Sequence, residues 1–456
     1  MNRFFIAGAR GSAFRDSLVR IFPLFLLVAG VTATSPCQGQ FEHVGLSGRI
    51  VHSLAFWGNK VYAGTDDGVF VHTLEQLGDT LWTPVGLQGK TVRSVYPHQS
   101  GAIGYAVTAG IEHRIGDPAS VLIYCSQNSD SAWVPADTGI DRSLVRVIKS
   151  IDGFPSPLIC GETYAASEGL VFRRTIGGIW KKVFDMGIAV TNVVKVNSTT
   201  VTVWAGGETA ILWPYISRSE DKGETWWTSY PNLQGDNACN SIAFDPHDTS
   251  VVYAGMEGSV IVSKDGGTIW QSSGLSGTPF YFYSLAINSP RQEIYAGGLA
   301  HGSVFGLYSA SLHDTIWTEI IPPKPFAGIV SMLFLPTVQP YGQLLLGTYG
   351  DGVILHNVPV TSTDAEWTPP YFTLQQNYPN PFNPSTTIEF DLPHAGWVTL
   401  KVYNVLGEEI ATLIEGNVSA GTFEATWDAS GFPSGVYSYR VHAGDFVATK
   451  KMILMK

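Results

Sequence analysis

Three features of the sequence predict an all-β fold. Runs with apolar residues at i, i+3, i+4 and i+7 are nearly absent, whereas short segments rich in Val, Ile, Tyr and Trp, bounded by Gly and Asp, recur throughout. The 49 glycines and 26 prolines follow no collagen period and therefore serve turns. Of 456 residues, 45% are hydrophobic and 14% charged, which suits packed cores in two or more domains rather than a disordered chain.

The first segment reads as an address. Arg3, Arg10, Arg15 and Arg20 precede the apolar run 21–31, which is much shorter than the roughly 20 residues a membrane-spanning helix needs. A positive stretch, a short apolar stretch and small residues at the exit predict a secretory signal peptide over residues 1–39. Cleavage after Gly39 leaves no transmembrane segment. It also removes four arginines and Asp16, so that 23 basic and 37 acidic side chains remain of 27 and 38, a formal charge of −14. Such a surface excludes nucleic acid as a partner. Three cysteines remain, Cys125, Cys160 and Cys239. An odd number leaves at least one unpaired within the chain. Buried free thiols are expected, with a Cys125–Cys160 bridge as the alternative.

A repeat then runs along the chain. The segments KVYAGT, YAVTAG, LICGET, VWAGGE, VYAGME, IYAGGL and LLLGTY place marker glycines at Gly64, Gly110, Gly161, Gly206, Gly255, Gly297 and Gly347, 42 to 51 residues apart. A tryptophan follows each one, at Trp82, Trp133, Trp180, Trp226, Trp270, Trp317 and Trp367, 44 to 51 residues apart. Within a unit the order is apolar strand, strand ending at the glycine, third strand, tryptophan strand, with Asp- and Gly-rich hairpin turns such as TDDG and YGDG. Four antiparallel strands in a unit of this length form a propeller blade, and seven markers predict a seven-bladed β-propeller over residues 41–367. FEHVGLSGRIVHSL at 41–54 aligns with WTPVGLQGKTVRSV at 82–95. Either residues 41–44 complete the last blade and latch the ring, with Trp367 in the linker, or the Trp367 strand takes that place.

One turn is more specific. SEDKGETW, carrying Ser219, Asp221, Gly223, Thr225 and Trp226, matches the Asp-box pattern S-x-D-x-G-x-T-W. SKDGGTIW keeps Ser263, Asp265, Gly267 and Trp270, with Ile269 in place of Thr. A short acidic side chain there accepts turn amides, and Gly takes the left-handed conformation. On these residues the chain resembles the Asp-box (BNR, sialidase-like) propellers, a superfamily holding sialidases, glucan hydrolases and many proteins without known activity. The resemblance implies fold and a structural role for the box. It assigns no catalytic residue.

Chemistry is weakly signalled. A sialidase needs three converging arginines, and in GRIV around Arg49 the family's proline is replaced by Val51. Glycosidases of other kinds need two carboxylates, for which Glu162, Glu168, Glu208 and Glu257 are candidates at blade mouths. The histidines show no H-x-H or H-E-x-x-H spacing, so neither metal nor cofactor is expected. Trp57, Trp204, Trp213, Trp227, Tyr281, Phe282 and Tyr283 stand outside the repeat positions and are core candidates or a stacking surface for a glycan or protein ligand.

After Trp367 the composition shifts. A linker over 368–376, dense in Pro and Asn, leads to alternating strands GWVTLKVYN, EEIATLI, GTFEATWDA, GVYSYRVHA and DFVATKKMILMK, which predict a small β-sandwich. LQQNYPNPFNPSTTIEFDLP, VYNVLGEEIATL, WDASGFPSGVYSYRV and KKMILMK resemble the Ig-like C-terminal sorting domain of type IX secretion cargo. The resemblance spans 372–456 and rests on Asn377, Pro379, Asn380, Pro381, Phe382, Asn383, Pro384, Gly407, Trp427, Gly435, Tyr437 and Lys451. It implies recognition by the type IX machinery and passage through the periplasm to the outer cell surface or medium. The sequence therefore reads as an exported propeller acting as a binding or interaction module. A secreted glycoside hydrolase, sialidase-like or glucan-acting, on the same fold is the alternative.

Overall fold

The structure is a computed structural model and describes residues 40–455 apart from 75–79, 101–103, 113–119, 128–131, 155–161, 176–177, 232–236, 290, 301–302, 336–340, 360–371, 393–395, 420 and 444–445. The predicted signal peptide and Trp367 lie outside the described residues. Every named element is a β-strand.

Residues 40–359 form seven four-stranded antiparallel sheets. Six are meanders whose first strands are Val51–Trp57, Thr91–Ser100, Ser150–Gly153, Ala189–Asn197, Cys239–Phe244 and Tyr281–Asn288. The seventh holds Ile329–Leu335, Tyr341–Thr348 and Val353–Pro359, and takes its fourth strand, Gln40–His43, from the other end of the chain. Phe41 stands there opposite His356. Each first strand lies against the next, and Ile329–Leu335 lies against Val51–Trp57, so the ring closes on its first strands. This is a β-propeller, and closure leaves no inner edge exposed.

Three contacts repeat from sheet to sheet. In six sheets a serine of the first strand bonds the backbone of the next first strand. Ser53 and Ser94 accept from the Val95 and Ile151 amides at 3.0 and 2.9 Å. Ser150 and Ser241 donate to the Val194 and Phe282 carbonyls at 3.2 and 2.9 Å. Ser284 accepts from the Met332 amide at 2.9 Å, and Ser331 donates to the Val51 carbonyl at 2.8 Å, which ties the seventh sheet to the first. Opposite the serine stands the marker glycine. A Cβ on Gly64 would fall 2.7 Å from Ser53 Oγ and 3.0 Å from Val92 of the next sheet. Ile148, Cys239, Phe282, Ile329 and Val51 press in the same way on Gly110, Gly206, Gly255, Gly297 and Gly347. The glycine is thus required by close approach of the neighbouring sheet. Finally, each described tryptophan of the repeat donates its indole N–H to the preceding sheet, as Trp133 does to the Val85 carbonyl at 2.8 Å, Trp180 to Ala136 at 2.7 Å and Trp226 to Val183 at 2.9 Å. Trp82 donates to Val44, just past the latch strand, at 2.7 Å.

The third sheet corrects one expectation. Its second strand is Thr163–Ser167, and the residue opposite Ser150 is Ala166, so Ala166 and not Gly161 is the counterpart of the marker. Gly161 and Cys160 lie outside the described residues. Cys125 and Cys239 are buried free thiols, and burial pushes the Cys239 thiol up to about 12.

The tail forms two further sheets. Thr373–Leu374, Ser385–Leu392 and Gly421–Asp428 make one; Glu409–Val418, Gly396–Tyr403, Gly435–Ala443 and Phe446–Leu454 make the other. Alternating strands turn one side of each sheet onto a shared core that includes Phe390, Trp427, Tyr439 and Met452.

Candidate functional site

Just before each serine, and before Val193 at the same place in the fourth sheet, stands one more residue. These are His52, Arg93, Lys149, Asn192, Asn240, Tyr283 and Val330, one per sheet. In sheets one, two, four, five, six and seven a register shift falls at this point. A bulge there leaves the residue out of the ladder and re-aims it. Two residues past each marker position stand Asp66, Glu112, Glu168, Glu208, Glu257, Leu299 and Tyr349. In an antiparallel meander the start of the first strand and the end of the second lie at the same face. The two sets therefore form two rings at one mouth of the propeller.

Contacts run around and across this mouth. Arg93 donates to His52 Nδ1 at 3.1 Å and pairs with Glu112. Lys149 Nζ donates to Asn192 Oδ1 at 2.8 Å, and Asn192 Nδ2 donates to Asn240 Oδ1 at 3.1 Å. Arg146 pairs with Glu168 at 3.1 Å. The Tyr281 hydroxyl donates to Glu257, which raises the Tyr281 pKa. Tyr281 and Tyr283 stack with centroids 6.1 Å apart. Burial, then the Glu257 carboxylate, raises the Tyr283 pKa, while the Arg93 guanidinium of the second sheet lowers it from across the ring. Burial, assisted by Arg93, pushes His52 down to about 3 and keeps it neutral. Burial likewise lowers Lys149, against the Glu208 carboxylate.

The carboxylates expected at blade mouths divide. Glu168, Glu208 and Glu257 are at this mouth. Glu162 is not: it precedes the strand Thr163–Ser167 and so lies at the opposite face from Glu168, buried against the Tyr164 hydroxyl. Among the aromatic candidates Tyr281 and Tyr283 reach the mouth, and Trp213 stands exposed on the hairpin that follows Glu208. Trp204 and Phe282 are core residues. Sequence reading missed Arg93, Lys149, Asn192 and Asn240. The signal that finds them is the triplet Val-Arg-Ser, Ile-Lys-Ser, Thr-Asn-Val and Cys-Asn-Ser at the head of successive first strands. Among the described residues no group of three or more His, Cys, Asp or Glu is placed to hold a metal.

The turn 219–226 joins a third strand to a fourth and so lies at the face opposite the mouth. Asp221 Oδ1 accepts from the Ser219 hydroxyl and the Thr225 amide, both at 2.8 Å, and Oδ2 from the Thr225 hydroxyl at 2.6 Å. Gly223 donates its amide to Ser219 Oγ at 2.6 Å with φ at 95°. The copy at 263–270 repeats this, with Asp265 accepting from the Ser263 hydroxyl and the Ile269 amide at 2.8 Å. No hydroxyl comes from Ile269.

In the tail the Pro- and Asn-rich segment is tied to both ends of the sandwich. Asn377 donates its backbone amide to the Tyr439 hydroxyl at 2.8 Å, and its Nδ2 donates to Thr386 at 2.9 Å. Asn380 Oδ1 accepts from the Ile453 amide at 2.9 Å. Pro379 and Pro384 offer carbonyls to Thr386 and Ala429. Phe382 is buried against Trp427, which packs edge-on to Tyr437. Gly407 closes the hairpin at 404–408 with φ at 79°, Gly435 opens the Tyr437 strand, and Lys451 is exposed on the last strand. Residues 376–455 match the secretion system C-terminal sorting domain. That domain marks export by type IX secretion, to the cell surface or the extracellular space, and an interaction with its machinery.

No curated protein matches the chain. Solved structures resemble it in fold. An ancestral GH74 enzyme aligns over 68% of this chain and 48% of its own, at 14% identity and a TM-score of 0.53. A chain of the Mitotic Checkpoint Complex aligns over 72% of this chain and 98% of its own, at 11% identity and 0.52. PorZ, a surface component of the type IX secretion system of Porphyromonas gingivalis, aligns over 89% of this chain at 14% identity and 0.49. This chain spans 59% of PorZ and 48% of the GH74 enzyme. At such identities the likeness concerns fold alone.

Proposed function

We propose that the chain is an exported seven-bladed Asp-box propeller that binds a glycan or protein ligand at the mouth formed by the two rings. In this reading residues 1–39 are a signal peptide, 41–367 the propeller, 368–376 the linker and 372–456 an Ig-like sorting domain.

One observation carries the binding role. Positions that hold the blades together are nearly invariant around the ring, because each meets the same neighbour: serine in six sheets, glycine in six, tryptophan in six. The first ring of the mouth differs in almost every sheet, with only Asn recurring, and the second ring is Glu in four sheets but Asp, Leu and Tyr in the other three. Equivalent positions that fold alike and differ in chemistry are shaped by something other than the fold, and an asymmetric ligand supplies that asymmetry. The glycoside hydrolase reading asks for a carboxylic acid held protonated beside a carboxylate. Here Glu112 and Glu168 are paired with guanidinium groups and Glu257 accepts from a phenol, which suits binding.

The test is a glycan and peptide array run beside a panel of chromogenic glycosides, with wild type and an Asn192→Ala, Tyr283→Ala double variant. Binding that the variant loses at unchanged Tm is expected. Turnover of any glycoside that the variant abolishes would overturn the binding reading in favour of the hydrolase.

A further inference from the structure

Resting on that reading, we infer that the mouth takes an arginine or lysine side chain of a partner polypeptide between Glu208 and Glu257, with apolar neighbours of that residue lying on Ile188, Ile211, Leu212 and Trp213.

The rim carboxylates are not equivalent. In the second and third sheets Glu112 and Glu168 are matched by Arg93 and Arg146, and in the first Asp66 accepts the Ile50 amide. In the adjoining fourth and fifth sheets Glu208 and Glu257 form no ion pair with Lys, Arg or His among the described residues. Lys149 lies within the field of Glu208, but its ammonium is turned to Asn192. What faces this pair is phenol: Tyr281 lies on Glu257 and within the field of Glu208, and the exposed Tyr283 lies within the field of both carboxylates. Carboxylates beside open ring faces attract a cation by charge and by the ring quadrupole together. A chain with a formal charge of −14 after leader removal steers such a ligand towards it.

The second, independent observation is the hairpin that continues from Glu208. Leu212 sits at a φ of 59°, a conformation uncommon for a residue with a branched side chain. It is held there by the Leu212 amide on the Thr209 carbonyl at 2.9 Å and the Thr209 amide on the Trp213 carbonyl at 2.8 Å. Ala210 donates to the Ile188 carbonyl at 3.0 Å, fixing the neighbouring connection to the same loop. The result is a rigid turn presenting Ile188 at 87%, Ile211 at 68%, and Leu212 and Trp213 at 58% exposure. Backbone strain spent on exposing a contiguous apolar patch marks an interaction surface. Its aliphatic members separate ligand classes. A sugar ring can stack on Trp213, but covering Ile188, Ile211 and Leu212 gains from apolar side chains, which a polypeptide carries and a glycan lacks.

An array of peptides with a central Arg or Lys among apolar residues tests this, each paired with a copy carrying citrulline or acetyl-lysine, probed with the full chain beside a glycan array. The charged peptides are expected to bind at least about tenfold more tightly than their neutral copies. A Glu208→Gln, Glu257→Gln variant should lose that preference, and an Ile211→Ser, Trp213→Ser variant should weaken both members of each pair, with Tm unchanged. Equal binding of charged and neutral copies overturns the inference. Glycan binding abolished by the Glu→Gln changes overturns it while leaving the mouth as the site. Peptide or glycan binding indifferent to both variants and to Asn192→Ala, Tyr283→Ala overturns the mouth as well.

Discussion

Asp221 holds its turn with three accepted hydrogen bonds, and the Thr225 hydroxyl, followed by the Thr225 amide, keeps its pKa at about 2. A carboxylate whose folded pKa lies below its usual 3.8 contributes stability that is present above that value and is lost as the pH falls through about 2. Asp221→Ala is therefore expected to lower Tm near neutral pH, with the gap to wild type closing between pH 4 and 2, and to leave ligand binding at the opposite face unchanged. Calorimetry against pH with a binding assay at neutral pH checks both. Unchanged Tm with lost binding would make this turn the site. The geometry at 219–226 was legible in the sequence because all its partners lie in one hairpin. The mouth was not: Arg93, Lys149, Asn192 and Asn240 come from four sheets, and connections of unequal length separate them from the marker glycines that set the visible beat.

At the scale of elements, the register shift at the head of six of the seven first strands explains what was legible and what was not. Glycine and tryptophan recur because each answers a close contact with the next or preceding sheet, so their spacing betrays the blades. The third sheet breaks the beat because Ala166 stands where the others have glycine, and Gly161 imitates the marker nearby. For ring closure the alignment of 41–54 with 82–95 left two strands open, and Gln40–His43 is the one paired with Val353–Pro359. That latch carries a titratable group. His356 is buried, stacks on Phe41 with centroids 4.3 Å apart, and its Nδ1 has no hydrogen-bond partner among the described residues. Burial pushes its pKa from 6.5 down to about 4. A base whose folded pKa is depressed must stay neutral to remain in place, so the stability it permits is full above 6.5 and is lost as the pH falls from 6.5 towards 4. The loss amounts to at most about 3 kcal/mol. His356→Gln should flatten the fall of Tm across that window, and the protection factors of the Gln40–His43 amides, taken against intrinsic exchange at each pH, should fall from pH 7 to pH 4 in wild type only. Parallel Tm curves for the two proteins would remove His356 from the account.

For the whole molecule, the decisive feature is that the propeller and the tail each close a core of their own. The buried cluster of the tail draws its members from 374–454, and every cluster of the propeller draws its members from 44–358. A segment whose core borrows no residue from its neighbour is able to fold alone, and the Pro-rich entry before Phe372 suits a boundary between independent units. The match over 376–455 marks export by type IX secretion, and the propeller is expected to contribute to it no more than its attachment. Deleting residues 372–456 is expected to leave a folded propeller with its Tm essentially unchanged, held in the periplasm of the native host. Fusing 372–456 behind a signal peptide to an unrelated reporter is expected to carry reporter to the surface or medium. Fractionation with immunoblotting reads both proteins, and thermal melting of the truncated chain separates failed export from failed folding. Normal export of a folded truncated chain would show that the address lies elsewhere, and would reduce the tail to an accessory sandwich.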